Sequence, residues 1–354
     1  MNDYTALLET LIRTRPVTTD PERVNAATAV MRDFLLARGV FCRTEEFAGR
    51  QILYASNRES GTPDIILNSH MDVVPAAVED QFEPVVRDGR MFGRGTCDCL
   101  GNAVCLAQIL LTAKTHVAAV FSADEEAGGR TTKHMVELGY TAKHAVLILD
   151  SGDDEAIVYA QKGVLVVHLT AKGRAGHAAY PWKSENPIDK LTAGYAKFRA
   201  AWQNPSCEDD WRNTLAACMT SAGNAPNQIP AEATMTLNFR LVDAASRETV
   251  LNTLRETTGC EITLGEDIPP VEFEKDGPVF KLLQRTMSAA FGREIPIARI
   301  CGATDSRHWQ ALGVPVPVLG VTGANEHGTD EYVVLDSIGQ TADAIVEFAS
   351  TLAK

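Results

Sequence analysis

Four short apolar runs in this chain break off into residues able to bind a metal, and that pattern restricts the fold more than any other feature. Asp64 to Asn68 (D-I-I-L-N) leads into Ser69, His70 and Met71, and Val117 to Phe121 (V-A-A-V-F) leads into Asp124, Glu125 and Glu126. Ala145 to Leu149 (A-V-L-I-L) ends at Asp150, and Val314 to Val321 (V-P-V-P-V-L-G-V) leads towards Asn325 and His327. Runs so short and so apolar read as buried strands. Helical spacing of apolar residues lies between them, over Leu100 to Ala113, Thr131 to Leu138 and Val279 to Phe291. Strands alternating with helices give an α/β sheet that is mostly parallel, flanked by helices. Such sheets bind ligands at the carboxyl edge of their strands, and the candidate ligands stand there.

The middle of the chain breaks this rhythm. Val164 to Ala171 is strand-like and Pro187 to Trp202 helix-like; Thr214 to Met219 and Ala233 to Arg240 read as strands, Arg247 to Glu256 as a helix and Glu261 to Leu264 as a strand. Strand–helix–strand–strand–helix–strand is the ferredoxin-like split arrangement. A chain of 354 residues exceeds the usual single core. The expected layout is a metal-binding domain over 1–163 and 278–354 with a compact α+β module inserted at 164–277.

The net charge of −13 excludes a nucleic-acid binder, which needs a basic surface to displace phosphate counterions, and it is unfavourable for anionic membranes. Anionic substrates remain compatible, because divalent cations in a cleft reverse the local field. Met1 to Val17 carries Leu7, Leu8, Leu11 and Ile12 at helical spacing, so it reads as an amphipathic helix and not as an apolar signal segment. No later stretch is long enough to span a bilayer. The eight cysteines form no C-x-x-C pair, which fits reduced thiols and a cytoplasmic location. Cys97 and Cys99 flank Asp98; on an extended segment both thiols would face away from that aspartate, so the three are not expected to ligate one ion together.

His70 and Asp72 lie in H-M-D-V-V-P, Asp98 in G-R-G-T-C-D-C-L-G, Glu125 and Glu126 in S-A-D-E-E-A-G-G, and His327 in N-E-H-G-T-D-E-Y. Taken singly, each has an ordinary explanation: an aspartate after a strand caps a helix, adjacent glutamates form a solvated face, and a lone histidine is scaffolding. Together, at the ends of successive strands, they form a nitrogen-and-carboxylate donor set suited to zinc, cobalt or manganese in a catalytic site.

The ordered series H-M-D-V-V-P, G-R-G-T-C-D, D-E-E, L-D, G-R-A-G-H, N-Q-I-P with N-F-R, and G-A-T-D-S-R with H-G-T-D-E closely resembles the co-catalytic dizinc metallopeptidase/deacylase family. Members include aminoacylase, acetylornithine deacetylase, succinyl-diaminopimelate desuccinylase and glutamate carboxypeptidase. The resemblance runs from Leu67 to Tyr332. It implies two divalent ions, Zn2+ first and Co2+ or Mn2+ as alternatives. His70 and Asp150 would hold one ion, Glu126 and His327 the other, and Asp98 would bridge both. Asp72 would accept the second ring N–H of His70 and fix its tautomer. Glu125 would act as general base towards a water that two ions roughly 3.5–4 Å apart acidify.

The same resemblance makes the inserted module a lid and a homodimer contact. It carries His177 into the partner's site to stabilise the oxyanion. It also gives Asn227, Arg240 and Arg307 to the substrate carboxylate, which a guanidinium fork suits. Two positions depart from the usual pattern: Leu100 replaces a common lysine, and Asp150 stands where many members carry glutamate. The expected activity is metal-dependent amide hydrolysis of small N-acyl-amino acids or short peptides. A deacylase is preferred on H-G-T-D-E and D-S-R-H, while Asp150 leans to a dipeptidase or carboxypeptidase. The remaining alternative is a catalytically silent metal-binding homologue.

Overall fold

All four apolar runs become strands, though of unequal length, in a computed structural model that describes residues 3–150, 156–207 and 209–354. Ile65–His70, Val117–Ser122 and Ala145–Leu149 are buried along their whole length, as strands covered on both faces must be. The fourth run is paired only over Val318–Leu319. Pro315 and Pro317 have no N–H to donate. Their carbonyls instead accept from Val146 N at 3.1 Å and Ile148 N at 3.0 Å.

By contacts the chain forms two units. The first is Met1–Tyr159, Phe273–Arg299 and Thr304–Lys354, and the second is Ala160–Glu272 with Ile300–Ala303. In the first unit the sheet order is Phe41–Phe47, Arg50–Ser56, Val117–Ser122, Ile65–His70, Ala145–Leu149, Val318–Leu319, then Ile157–Gln161. The four strands from Val117–Ser122 to Val318–Leu319 are mutually parallel, and the outer ones antiparallel. The carboxyl ends of the parallel strands therefore share one edge. Helix Asp3–Arg13 buries the expected stripe of Leu7, Leu8, Leu11 and Ile12 and packs on Pro21–Leu36 and Leu100–Thr112. Helices Pro278–Phe291 and Leu335–Leu352 pack on each other. Leu100 is fully buried in this core.

In the second unit Gly163–Lys172 lies between Glu232–Leu241 and Glu261–Ile268, with Thr214–Ala222 at the outer edge beside Glu232–Leu241. Every pairing is antiparallel, which is the ferredoxin-like order. Helices Pro187–Ala200 and Ala244–Thr258 pack on each other and on the sheet, over a core of Leu165, Val167, Leu169, Leu191, Phe198, Leu237, Phe239 and Leu254. Asn186 and Asp243 cap these helices by accepting from Ile188 N and Ser246 N. Among the described residues, no helix is long and apolar enough to cross a membrane.

Candidate metal centre

His70 ends strand Ile65–His70, Asp150 follows Ala145–Leu149, and Glu125 and Glu126 sit in a single 3-10 turn just after Val117–Ser122. Asp98 lies in the turn that opens helix Leu100–Thr112, and His327 lies in the loop from Gly323–Ala324 to Tyr332–Val334. The fold brings these residues into two groups that share Asp98. His70 Nε2 is 3.0 Å from Asp98 Oδ1 and 3.4 Å from Asp150 Oδ1. His327 Nε2 is 3.2 Å from Asp98 Oδ2 and 3.2 Å from Glu126 Oε1. One carboxylate thus turns one oxygen to each histidine.

Asp72 sits behind His70, but its carbonyl takes the hydrogen bond, accepting from Nδ1 at 2.8 Å, while Oδ1 is 3.5 Å away. The expected imidazole–carboxylate bond is therefore replaced by an imidazole–carbonyl bond. It still leaves Nε2 to face the acidic group. The Asp72 carboxylate is occupied elsewhere: it accepts from Thr18 Oγ1 at 2.8 Å and from Glu125 N at 3.1 Å. In that way it holds the turn that presents Glu125 and Glu126.

Cys99 departs from the extended geometry expected of it, while Cys97 stays outside both groups. The segment is not extended there; Cys99 immediately precedes helix Leu100–Thr112. Its Sγ lies with the donor atoms of His70, Asp98 and Asp150, all within 4.8 Å of one another. It donates to Leu149 O at 3.0 Å and accepts from Ser69 Oγ at 3.2 Å. Burial raises the thiol to about 12.

Arg307 is buried against Glu125, with Nη1 donating to Oε1 at 3.2 Å. Asp305, two residues earlier, is anchored by Ser122 Oγ at 3.0 Å and by Thr132 Oγ1. His177 and Asn227 lie in the second unit: His177 is exposed and pairs with Gln228, and Asn227, in the turn just before strand Gln228–Ile229, accepts through its carbonyl from Ala178 N at 2.9 Å. Arg240, half-buried in the same unit, pairs with Val164 and Thr214 in the central sheet.

Two further residues act on the centre without having been singled out in the sequence. Glu331 accepts from Gly95 N, Cys97 N and Asp98 N, and Arg94 donates to it. Both stand inside motifs that were read for their metal ligands, G-R-G-T-C-D and H-G-T-D-E, so the signal was present but unassigned.

The electrostatics suit bound cations. Burial alone would raise Asp98, but hydrogen bonds from His327 and His70 hold it below the usual carboxylate range. Hydrogen bonds to Asp98 and Glu126 push His327 up to about 10. Burial opposes protonation of His70, yet the acidic neighbours still raise it well above its ordinary value. Glu126 is raised by burial, with Asp98 adding to the effect. Two imidazoles retaining protons against clustered carboxylates mark positions where positive charge is stabilised, and divalent cations on the same atoms would supply it. Glu125 is raised well above its ordinary value by burial and by Asp150 and Asp305.

A profile described as Peptidase family M20/M25/M40 matches residues 66–351. Curated relatives include the succinyl-diaminopimelate desuccinylase of Acidiphilium cryptum (strain JF-5), 28% identical with 96% of each chain covered. That of Maricaulis maris (strain MCS10) is 29% identical, covering 96% of this chain and 93% of the relative. Similar solved structures include the M20 family metallo-carboxypeptidase Sso-CP2 from Sulfolobus solfataricus, with a TM-score of 0.85 at 16% identity over 99% of each chain. Aminopeptidase PepT from Bacillus cereus ATCC 10987 superposes with a TM-score of 0.83 at 19% identity, covering 99% of this chain and 98% of that one.

Proposed function

The chain belongs to peptidase family M20/M25/M40, the metal-dependent hydrolases of amide bonds in small acyl-amino acids and peptides, and on that premise we propose that it removes the acyl group from an N-acyl-amino acid at a two-zinc centre. The observation that carries this reading is Asp98, whose two oxygens face His70 and His327 separately. His70, Asp98 and Asp150 would hold one ion, and Asp98, Glu126 and His327 the other. When bound, the pair would polarise the amide carbonyl and acidify the attacking water.

The protein's own groups supply the rest. Asp72 fixes the His70 tautomer through its carbonyl and the Glu125 turn through its carboxylate. Glu125 would take the proton of the attacking water and return it to the leaving nitrogen; burial, with Asp150 and Asp305, raises its affinity for protons. Arg307 orients Glu125, because its guanidinium is already engaged there. That leaves Asn227 and Arg240 as the better candidates for the substrate carboxylate.

We further infer that the second unit is the lid and dimer contact, and that His177 serves the partner's oxyanion. The exposure of His177 on the single chain supports this. Eight cysteines without a disulfide support a reducing cytoplasm.

The deacylase preference, made on H-G-T-D-E and D-S-R-H, is supported by relatives named succinyl-diaminopimelate desuccinylases that match over nearly their whole length. Asp150 in place of glutamate favours a peptidase reading instead. Acetyl-amino acids, succinyl-amino acids and dipeptides offered with zinc separate the two. The expected result is cleavage of an acyl-amino acid, with Glu125→Gln lowering kcat by about 10²–10⁴-fold at similar KM. Cleavage of dipeptides alone would establish the peptidase. Two bound ions with no cleavage of any member would leave a silent metal-binding homologue.

A further inference from the structure

The two halves of the candidate centre are carried by different segments: Asp98 by the turn after Met91, and His327 by a loop more than two hundred residues later. One buried ion pair touches both. Arg94 and Glu331 are each 1% exposed, and Arg94 Nη1 donates to Glu331 Oε2 at 2.7 Å. Arg94 Nη2 reaches the loop, 3.0 Å from His327 O and 3.1 Å from Gly328 O. The remaining capacity of Glu331 goes to the turn. It accepts from Gly95 N at 2.9 Å, Cys97 N at 3.0 Å and Asp98 N at 3.1 Å. Neither side chain belongs to the two donor groups themselves.

We propose that the Arg94–Glu331 pair is the positioning clamp of the centre, fixing the turn that carries Asp98 against the loop that carries His327 and so setting the affinity for the second ion. This rests on the two-ion reading above. His327 has a positive φ of 60°, a conformation rare for a residue with a side chain. A backbone held there by a guanidinium on its carbonyl has little freedom to bring Nε2 elsewhere. A planar fork is needed because one group must serve a carboxylate and two carbonyls at once, which an ammonium cannot do with the same geometry. The clamp divides its labour unequally: Arg94 alone of the pair bonds the His327 loop, whereas Glu331 takes three N–H groups of the Asp98 turn and so bears on both ions.

The test is stepwise zinc binding in competition with a chromophoric chelator, together with the spectrum of the cobalt-substituted protein, on the full chain. Arg94→Lys should keep one ion near its native affinity and bind the other about 10–100-fold more weakly, the cost typical of losing a group that orients a ligand. The cobalt spectrum of the remaining ion should match that of His327→Ala. Glu331→Gln should weaken both ions. Melting of the metal-free proteins separates this from a general loss of structure, which would lower the transition without selecting one ion. Arg94→Lys binding two ions with native affinities, or weakening both equally, overturns the clamp. If Glu331→Gln does not fold, Arg94→Lys decides alone. A native chain that binds fewer than two ions overturns the two-ion reading and the clamp with it.

Discussion

Asp305 and His308 lie 4.0 Å apart behind Glu125, and burial acts on them in opposite directions. Burial, with Asp150 nearby, raises Asp305 to about 6; burial and the Arg307 guanidinium lower His308 to about 4. The lowered histidine contributes stability that is complete above pH 6.5 and is lost as pH falls towards 4, because the unfolded chain then binds the extra proton. The raised aspartate does the reverse: its contribution is present at acid pH and is lost as pH rises through 6. Each shift corresponds to about 3 kcal/mol, so between pH 4 and 6 the two largely offset. His308→Gln removes one side of this balance. Denaturation midpoints from pH 4 to 6.5 should then show the stability gap between native and variant shrinking by about 3 kcal/mol towards pH 4. A gap independent of pH would mean that His308 is not held neutral. At this scale the ligand types were legible in the sequence but their partners were not. Asp72 was legible as the residue behind His70, while its carbonyl's part was not, since backbone acceptors carry no side-chain signature.

At the scale of elements, helix contacts depend on backbone approach that composition does not report. Gly194 of Pro187–Ala200 faces Thr258 of Ala244–Thr258 so closely that an added Cβ would stand 2.5 Å from the Thr258 carbonyl oxygen. Gly194→Ala must therefore separate the two helices, and a cost of about 1–3 kcal/mol is expected, as for other overpacked sites. Urea unfolding of the variant checks this; an unchanged midpoint would mean that the helices slide apart freely. Apolar periodicity marked the strands that carry the site and those of the inserted module, but not helices Pro21–Leu36 and Leu335–Leu352 or strands Phe41–Phe47 and Arg50–Ser56. Among the runs that were read, Val314 to Val321 is shorter than expected, because alternating prolines limit the paired part to Val318–Leu319. Cys99 is another departure. Its sulfur meets the His70 group because the chain turns into a helix there, and a two-residue alternation rule holds only for extended backbone.

At the scale of the whole molecule, the proposed dimer turns on Thr214–Ala222, an edge strand whose Met219 is 70% exposed. An unpaired edge with an apolar residue is a template for a second strand, and a charge there blocks pairing. Met219→Lys should convert a dimer to a monomer in light scattering while zinc binding persists. Hydrolysis should fall by about 10²–10³-fold if His177 supplies an oxyanion contact from the partner. A native chain that is monomeric and active would remove the partner's role.

The sequence by itself determined which residue types could bind cations, the order of the strands that deliver them and the ferredoxin-like module, because period and ligand chemistry are local properties of the chain. Only the tertiary structure decided that Asp98 faces two histidines with different oxygens, that Arg307 is occupied by Glu125, and that Arg94 and Glu331 join segments far apart in sequence. Those facts depend on which buried polar groups find each other once water is excluded, and a buried donor or acceptor must be matched across the fold, wherever in the chain its partner lies.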